Sequence, residues 1–179
     1  GKAYPDWVKL WTDRGYVAIS LSIDGNITDS TGNGVENNPQ GGPKISITTA
    51  DLANPENSWI YVSVANVIGC HNILRSMPEV DKSNVGITGI SWGSYLTCIT
   101  IGVDNRFKFA VPVYGAGFQH EDYTSGLASV FAFDDDNMEI YKTRFDPSVY
   151  TKYCNIPTLW LCGANDFAFS LYCNQRSAD

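Results

Sequence analysis

Five residues, Gly89-Ile90-Ser91-Trp92-Gly93, have the types and spacing for covalent chemistry on a carbonyl carbon. This is the G-x-S-x-G pattern of a nucleophile elbow, in which one serine is lifted onto a strained turn between a strand and a helix. Ser91 is the candidate nucleophile. The amide of the next residue, Trp92, would supply half of an oxyanion hole. Gly89 and Gly93 are expected to leave room where strand and helix backbones crowd together. A bare G-x-S-x-G is common in loops, so its flanks decide the reading. Val85 to Ile90 has the β-branched content of a buried strand, and Tyr95 to Val103 reads as an apolar helix.

A serine nucleophile works with a base and an acid. Asp166, in Gly163-Ala164-Asn165-Asp166-Phe167, stands in the turn after the last predicted strand, Ile156 to Cys162. In open α/β sheets, chemistry gathers beyond the carboxyl ends of the strands. Asp166 also follows Ser91 in the order Ser, Asp, His. It is the candidate acid, against the simpler reading of a turn aspartate capping the next helix. The chain has two histidines. His71 falls in the middle of a predicted helix and reads as structural. His120 follows a strand end, but it precedes Asp166 and breaks the expected order. The few residues after Asp166 are too short for a further helix, strand and histidine loop. The chain is therefore expected to be a piece of a larger fold, truncated at both ends, with little turnover by itself.

The elements that must position these groups follow from periodicity and breakers. Helices are predicted at Asp6 to Arg14, closed by Gly15, and at Ser58 to Ser76, stopped before Pro78. Strands are predicted at Tyr16 to Ile23, Val85 to Ile90, Phe107 to Val113 and Ile156 to Cys162. A further helix is expected near Asn137 to Thr143. Residues 25–57 are rich in Gly, Asn, Pro and Thr and read as a long mobile loop beside the site. Four strands alternating with helices give an α/β architecture with a mostly parallel sheet, in a single partial catalytic domain over residues 1–179.

Composition narrows the function. The net charge of −7 argues against nucleic acid as a partner. No apolar run approaches a membrane span. Five cysteines (Cys70, Cys98, Cys154, Cys162, Cys173) form no C-x-x-C pair, so there is no zinc or redox signature. Cys70, Cys98 and Cys162 read as small core hydrophobes; whether Cys154 and Cys173 pair is left open. No signal-peptide pattern is present, and Asn26-Ile27-Thr28 is a lone sequon. The compartment stays open, secreted and periplasmic placements included.

Four segments carry a family resemblance. They are Trp7 to Trp11 leading to Arg14-Gly15-Tyr16-Val17-Ala18-Ile19; Val80-Asp81 with Val85 to Gly93; Phe107 to Gly115; and Trp160 to Phe167. Together they resemble the acetyl xylan esterase and dienelactone-hydrolase-like branch of the α/β-hydrolases, near the prolyl oligopeptidase catalytic domains. The resemblance implies a three-layer α/β-hydrolase fold and a Ser-Asp-His triad needing no metal or cofactor. It implies Ser91 as nucleophile and Asp166 as acid. Ser94 stands where many such proteins have a second glycine. The function implied is a serine carboxylic ester hydrolase acting on a small-molecule or carbohydrate ester, such as an acetylated carbohydrate. The alternatives are a prolyl-oligopeptidase-type peptidase and a non-catalytic binding module of the same fold.

Overall fold

One residue separates the central strand from the central helix, and the rest of the site is arranged around that junction. The computed structural model describes residues 3–23, 27–28, 34–35 and 43–179. These fall into two units, one of residues 1–46 and 54–82, the other of residues 47–53 and 83–179.

The first unit holds helix α1 (Pro5–Thr12), the short antiparallel pair β1 (Ile27–Thr28) and β2 (Gly34–Val35), and, beyond α2 (Thr49–Ala53) of the second unit, the long helix α3 (Trp59–Ser76). Pro5 starts α1, where its missing N–H costs nothing. Gly15 takes φ +86° just after the helix, as a terminating glycine does. Ser58 caps α3 by accepting from the Tyr61 amide. Trp59 is wholly buried, and its indole N–H donates to the Ile23 carbonyl. Residues 16–23 do not form the predicted strand. They are irregular, and no partner strand pairs with them among the described residues. Apolar alternation supplies a face but no ladder, and a strand needs both.

The second unit contains the parallel pair β3 (Gly86–Ile90) and β4 (Phe109–Val113), joined through helix α4 (Trp92–Val103). Their register runs from Gly86 opposite Phe109 to Ile90 opposite Val113. Tyr95, Leu96, Cys98, Ile99 and Ile101 of α4 are buried, and the helix packs on both strands and on the short helix α6 (Ser148–Thr151). Helices α5 (Asp135–Arg144) and α7 (Leu171–Ala178) complete the unit. Ser170 caps α7 by accepting from the Cys173 amide.

The predicted strand 156–162 is present as extended chain beside β4 but reduces to two parallel bridges, Ala110 with Thr158 and Val113 with Leu161. Its ladder bonds are there: the Ala110 amide donates to Pro157 (3.0 Å), Leu159 to Ala110 (2.9 Å), Leu161 to Pro112 (3.0 Å) and Tyr114 to Leu161 (2.6 Å). The gap falls at Pro112, which has no N–H to give, so a regular strand is broken into bridges. Two regular parallel strands and this third segment thus stand where the sequence predicts four strands.

Most of the stretch 24–42 lies outside the described residues, so the loop expected at 25–57 is seen mainly from residue 43 onward. There it is less loose than expected. Residues 49–53 form α2, Leu52 is 2% exposed, and α2 packs against α5.

Candidate active site

Ser91 is the single residue between β3 and α4, and it carries the whole change of direction. Its backbone sits at φ 56°, ψ −121°. For a residue with a Cβ this is sparsely populated and costs on the order of 1–3 kcal/mol. The surroundings hold it there. The Ser91 amide donates to the Val113 carbonyl (3.0 Å), fixing it to the end of β4, and its carbonyl accepts from Tyr95 (3.0 Å) in the first turn of α4. The side chain does not cap α4, and the residue is half-buried. Trp92 is the first residue of α4, so its amide stands at the positive end of the helix.

The two motif glycines are not equivalent. A Cβ on Gly89 would lie 2.2 Å from the Gly93 carbonyl oxygen and 2.6 Å from Thr97 Oγ1, so strand and helix touch there through bare backbone. A Cβ on Gly93 would meet nothing within 4 Å. The expected crowding therefore holds at Gly89 and fails at Gly93. A third glycine matters instead. A Cβ on Gly115 would lie 2.3 Å from the Ser91 carbonyl oxygen and 2.5 Å from the Ser94 Cβ. Ser94 Oγ donates to the Gly115 carbonyl at 2.8 Å, so the hydroxyl ties the loop after β4 to the elbow helix.

Asp166 follows the 158–161 segment, which runs parallel to β4, which in turn runs parallel to β3. Ser91 and Asp166 therefore both leave the carboxyl ends of parallel segments. Asp166 Oδ1 accepts from the amides of Ala168 (2.9 Å) and Phe169 (2.8 Å). Both bonds fall on Oδ1, which leaves Oδ2 for another donor. The aspartate braces its own loop, and the cap of α7 is Ser170 rather than Asp166. Phe169 of this loop packs edge-on against Trp92, with centroids 5.7 Å apart, bringing the acid loop onto the elbow. Phe131 touches the same indole at 6.2 Å.

His120 is paired with other carboxylates. Its Nδ1 is 3.3 Å from Asp146 Oδ2, and its Nε2 is 3.7 Å from Glu121 Oε1. Asp146 is wholly buried. It also accepts from the Phe118 amide (2.9 Å), the Ser148 amide (2.8 Å) and the Tyr141 hydroxyl (3.0 Å). Burial pushes the Asp146 carboxyl up, but the bonds from His120, Ser148 and Phe118 outweigh it and hold the group below the usual carboxylate range. Tyr141 continues the network to the hydroxyl of Tyr95 (3.2 Å), which donates to the Phe145 carbonyl (2.9 Å). Burial, followed by the Asp146 charge, raises both tyrosines well above their ordinary value. Sequence reading missed this network, because nothing near Phe145-Asp146-Pro147 announces a buried carboxylate. His71 lies buried within α3 of the first unit.

All five cysteines are free thiols, so Cys154 and Cys173 are not paired. Cys98 is a core residue as expected, whereas Cys70 and Cys162 are only half-buried. Burial pushes Cys173 up to about 11. Among the described residues no three or more His, Cys, Asp or Glu side chains cluster as metal ligands would. No helix among them is long and apolar enough to cross a membrane.

A strand ending in a strained serine, an apolar helix starting one residue later and an acidic turn beyond a parallel neighbour define an α/β-hydrolase arrangement. The model of the prolyl oligopeptidase family matches residues 6–171. The chain belongs to that family, and its fold is that of the α/β-hydrolases. Solved structures of the same fold include acylaminoacyl peptidase from Pyrococcus horikoshii (24% identity, TM-score 0.55), covering 64% of this chain and 20% of its own. Acetyl xylan esterase 1 from a Thermoanaerobacterium species (15% identity, TM-score 0.61) covers 96% of this chain and 59% of its own. A glucuronoyl esterase from Solibacter usitatus (18% identity, TM-score 0.51) covers 67% and 34%. This chain thus spans about one fifth of the acylaminoacyl peptidase. No protein of curated function matches the sequence.

Proposed function

We propose that this chain carries the nucleophile, one oxyanion donor and the acid of a serine hydrolase acting on carboxylic esters. The observation that carries the reading is Ser91, strained between β3 and α4 with the Asp166 loop packed on the adjacent Trp92. In this reading Ser91 Oγ attacks the ester carbonyl carbon while an imidazole takes its proton. The carbonyl electrons move onto oxygen, where the Trp92 amide stabilises the negative charge. Asp166 Oδ2 holds the imidazole by accepting from its Nδ1–H and stabilises the imidazolium. The alcohol leaves with the proton, and water then attacks the acyl-serine and releases the acid. The imidazole is not assigned to a residue here; His120 Nδ1 faces Asp146 rather than Asp166.

An acetylated carbohydrate is the substrate class we favour. The sequence resemblance supports it, and so does the alignment of nearly the whole chain on acetyl xylan esterase 1. A peptidase is the second reading, supported by the family match and by the acylaminoacyl peptidase neighbour. The presence of both Ser91 and Asp166 weighs against a non-catalytic binding module. The test compares hydrolysis of 4-nitrophenyl acetate and acetylated xylan with that of an N-acetyl-amino-acid nitroanilide, using the protein as it occurs naturally. The reading expects the esters to be preferred, with Ser91→Ala and Asp166→Asn each lowering kcat by about 10⁴-fold or more. Preference for the anilide would move the function to the peptidase. Undiminished activity in Ser91→Ala would remove the serine mechanism altogether.

A further inference from the structure

The loop that carries Asp166 is gripped from outside by a second turn of the same unit, residues 122–127. The Gly126 amide donates to the Phe167 carbonyl (2.6 Å). The Ser125 hydroxyl donates to the Ala168 carbonyl (2.5 Å). A Cβ on Gly126 would lie 2.7 Å from Phe167 Cδ2 and 3.0 Å from the Phe167 oxygen, so turn and loop meet there only because residue 126 has no side chain.

The turn is itself fixed. Asp122 Oδ1 accepts from the Thr124 amide (3.1 Å) and hydroxyl (2.7 Å). Ser125 Oγ, while donating to the acid loop, accepts from the Leu127 amide (3.0 Å). The Asp122 carboxyl is held below the usual carboxylate range, first by a bond from the Ser170 side chain and then by Thr124 and Ser125, although burial opposes the shift. Ser170 directly follows the acid loop and caps α7, so the turn is tied to the loop at its far end as well.

The two carbonyls that the turn holds belong to the peptide groups that hold Asp166. The peptide joining Phe167 to Ala168 accepts from Gly126 at its oxygen and donates to Asp166 Oδ1 from its N–H (2.9 Å). The peptide joining Ala168 to Phe169 accepts from Ser125 at its oxygen and donates to the same Oδ1 (2.8 Å). A peptide group is planar and rigid, so fixing its oxygen fixes the direction of its N–H. A bond to the carbonyl also polarises the N–H, and the bonds on either side strengthen one another. Two parallel relays thus run from the turn through one peptide plane each to a single carboxylate oxygen.

We infer that Ser125 and Gly126 are positioning residues for the acid: through these two peptide planes they set the direction of the Asp166 carboxylate, and with it the place where Oδ2 meets the imidazole. A misplacement of about 1 Å in such a constellation can cost about 10²-fold in rate. The catalytic consequence rests on the serine-hydrolase reading above; the fixing of Asp166 by the turn does not.

The test uses Ser125→Ala in the protein as it occurs naturally, with 4-nitrophenyl acetate as substrate. kcat is expected to fall about three- to tenfold, the shift in competent population that one net hydrogen bond supports, with KM changed by less than about twofold. Ser125→Thr keeps the hydroxyl and should restore most of the loss. In an Asp166→Asn background Ser125→Ala should lower kcat no further, because the group it acts through is already gone. Hydrogen exchange supplies a readout independent of activity: the Ala168 and Phe169 amides should exchange about three- to tenfold faster in Ser125→Ala, with β3 and β4 unchanged. The inference is overturned if exchange at those two amides stays the same, if it quickens equally throughout the chain, or if the two losses in kcat multiply in the double variant. Should Ser125→Ala fail to fold, Gly126→Ala, which presses on Phe167 instead, is put to the same measurements with the same expectations. If Asp166→Asn by itself leaves kcat unchanged, the acid assignment falls, and the exchange of the two amides alone decides whether the turn fixes Asp166.

Discussion

Alanine at Gly89 and alanine at Gly93 should move stability in opposite directions, although the motif treats the two positions alike. At Gly89 the added Cβ would stand 2.2 Å from the Gly93 oxygen and 2.3 Å from its carbonyl carbon. Ordinary van der Waals contact begins near 3.4 Å, so β3 and the first turn of α4 would have to part by about 1 Å. The obstacle is backbone, which cannot rotate away as a side chain can. Thr97 Oγ1 already donates to that same Gly93 carbonyl at 2.9 Å, which holds it in place. Overpacking costs roughly 1–3 kcal/mol in a well-packed core, and a backbone obstacle puts Gly89→Ala at the upper end. Gly93 has open space around its Cβ position, lies within α4 and does not have a positive φ. There alanine gains helix propensity, worth roughly 0.5–1 kcal/mol in a helix interior. Urea unfolding of both variants, read as a change in midpoint at constant slope, measures the two effects. A destabilisation above about 1 kcal/mol in Gly93→Ala, or none in Gly89→Ala, would refute the packing described for the elbow.

Three further outcomes follow from the same contacts. Ser94→Ala should cost about 1 kcal/mol by removing the bond to the Gly115 carbonyl, measured by the same unfolding assay. Phe169→Ala should cost about 3–5 kcal/mol, because the ring is 1% exposed and packs on Trp92; a near-wild-type midpoint would show that the acid loop is not anchored there. Asp146 is held below the usual carboxylate range, so its contribution is full above that range and is lost as pH falls through its depressed value. Asp146→Asn should therefore lower stability at pH 7 by about 3–5 kcal/mol and flatten the decline in stability toward low pH, followed by urea midpoints at descending pH.

Much of the elbow was legible in the sequence, because its chemistry is local. A β-branched run, a single serine between glycines and an apolar run admit few backbones, and Ser91 sits at φ 56° between β3 and α4 as that pattern requires. The place of Asp166 beyond a strand end was legible for the same reason, since a proline-led apolar run closed by Gly163 marks an ending. Strand formation at residues 16–23 was not, because a ladder depends on a partner that alternation does not encode. Nor was the interruption beside β4, which needs the register that sets Pro112 against the 158–161 segment.

The sequence by itself determined the nucleophile candidate, the acid candidate and the fold class, all of which rest on short-range order of residue types. Only the tertiary structure decided which glycine is indispensable, because a close approach involves two segments at once. It also set His120 beside the buried Asp146, across 26 residues of chain. The bond from Ser125 to the acid loop was likewise invisible beforehand, since it joins residues 43 apart in the chain.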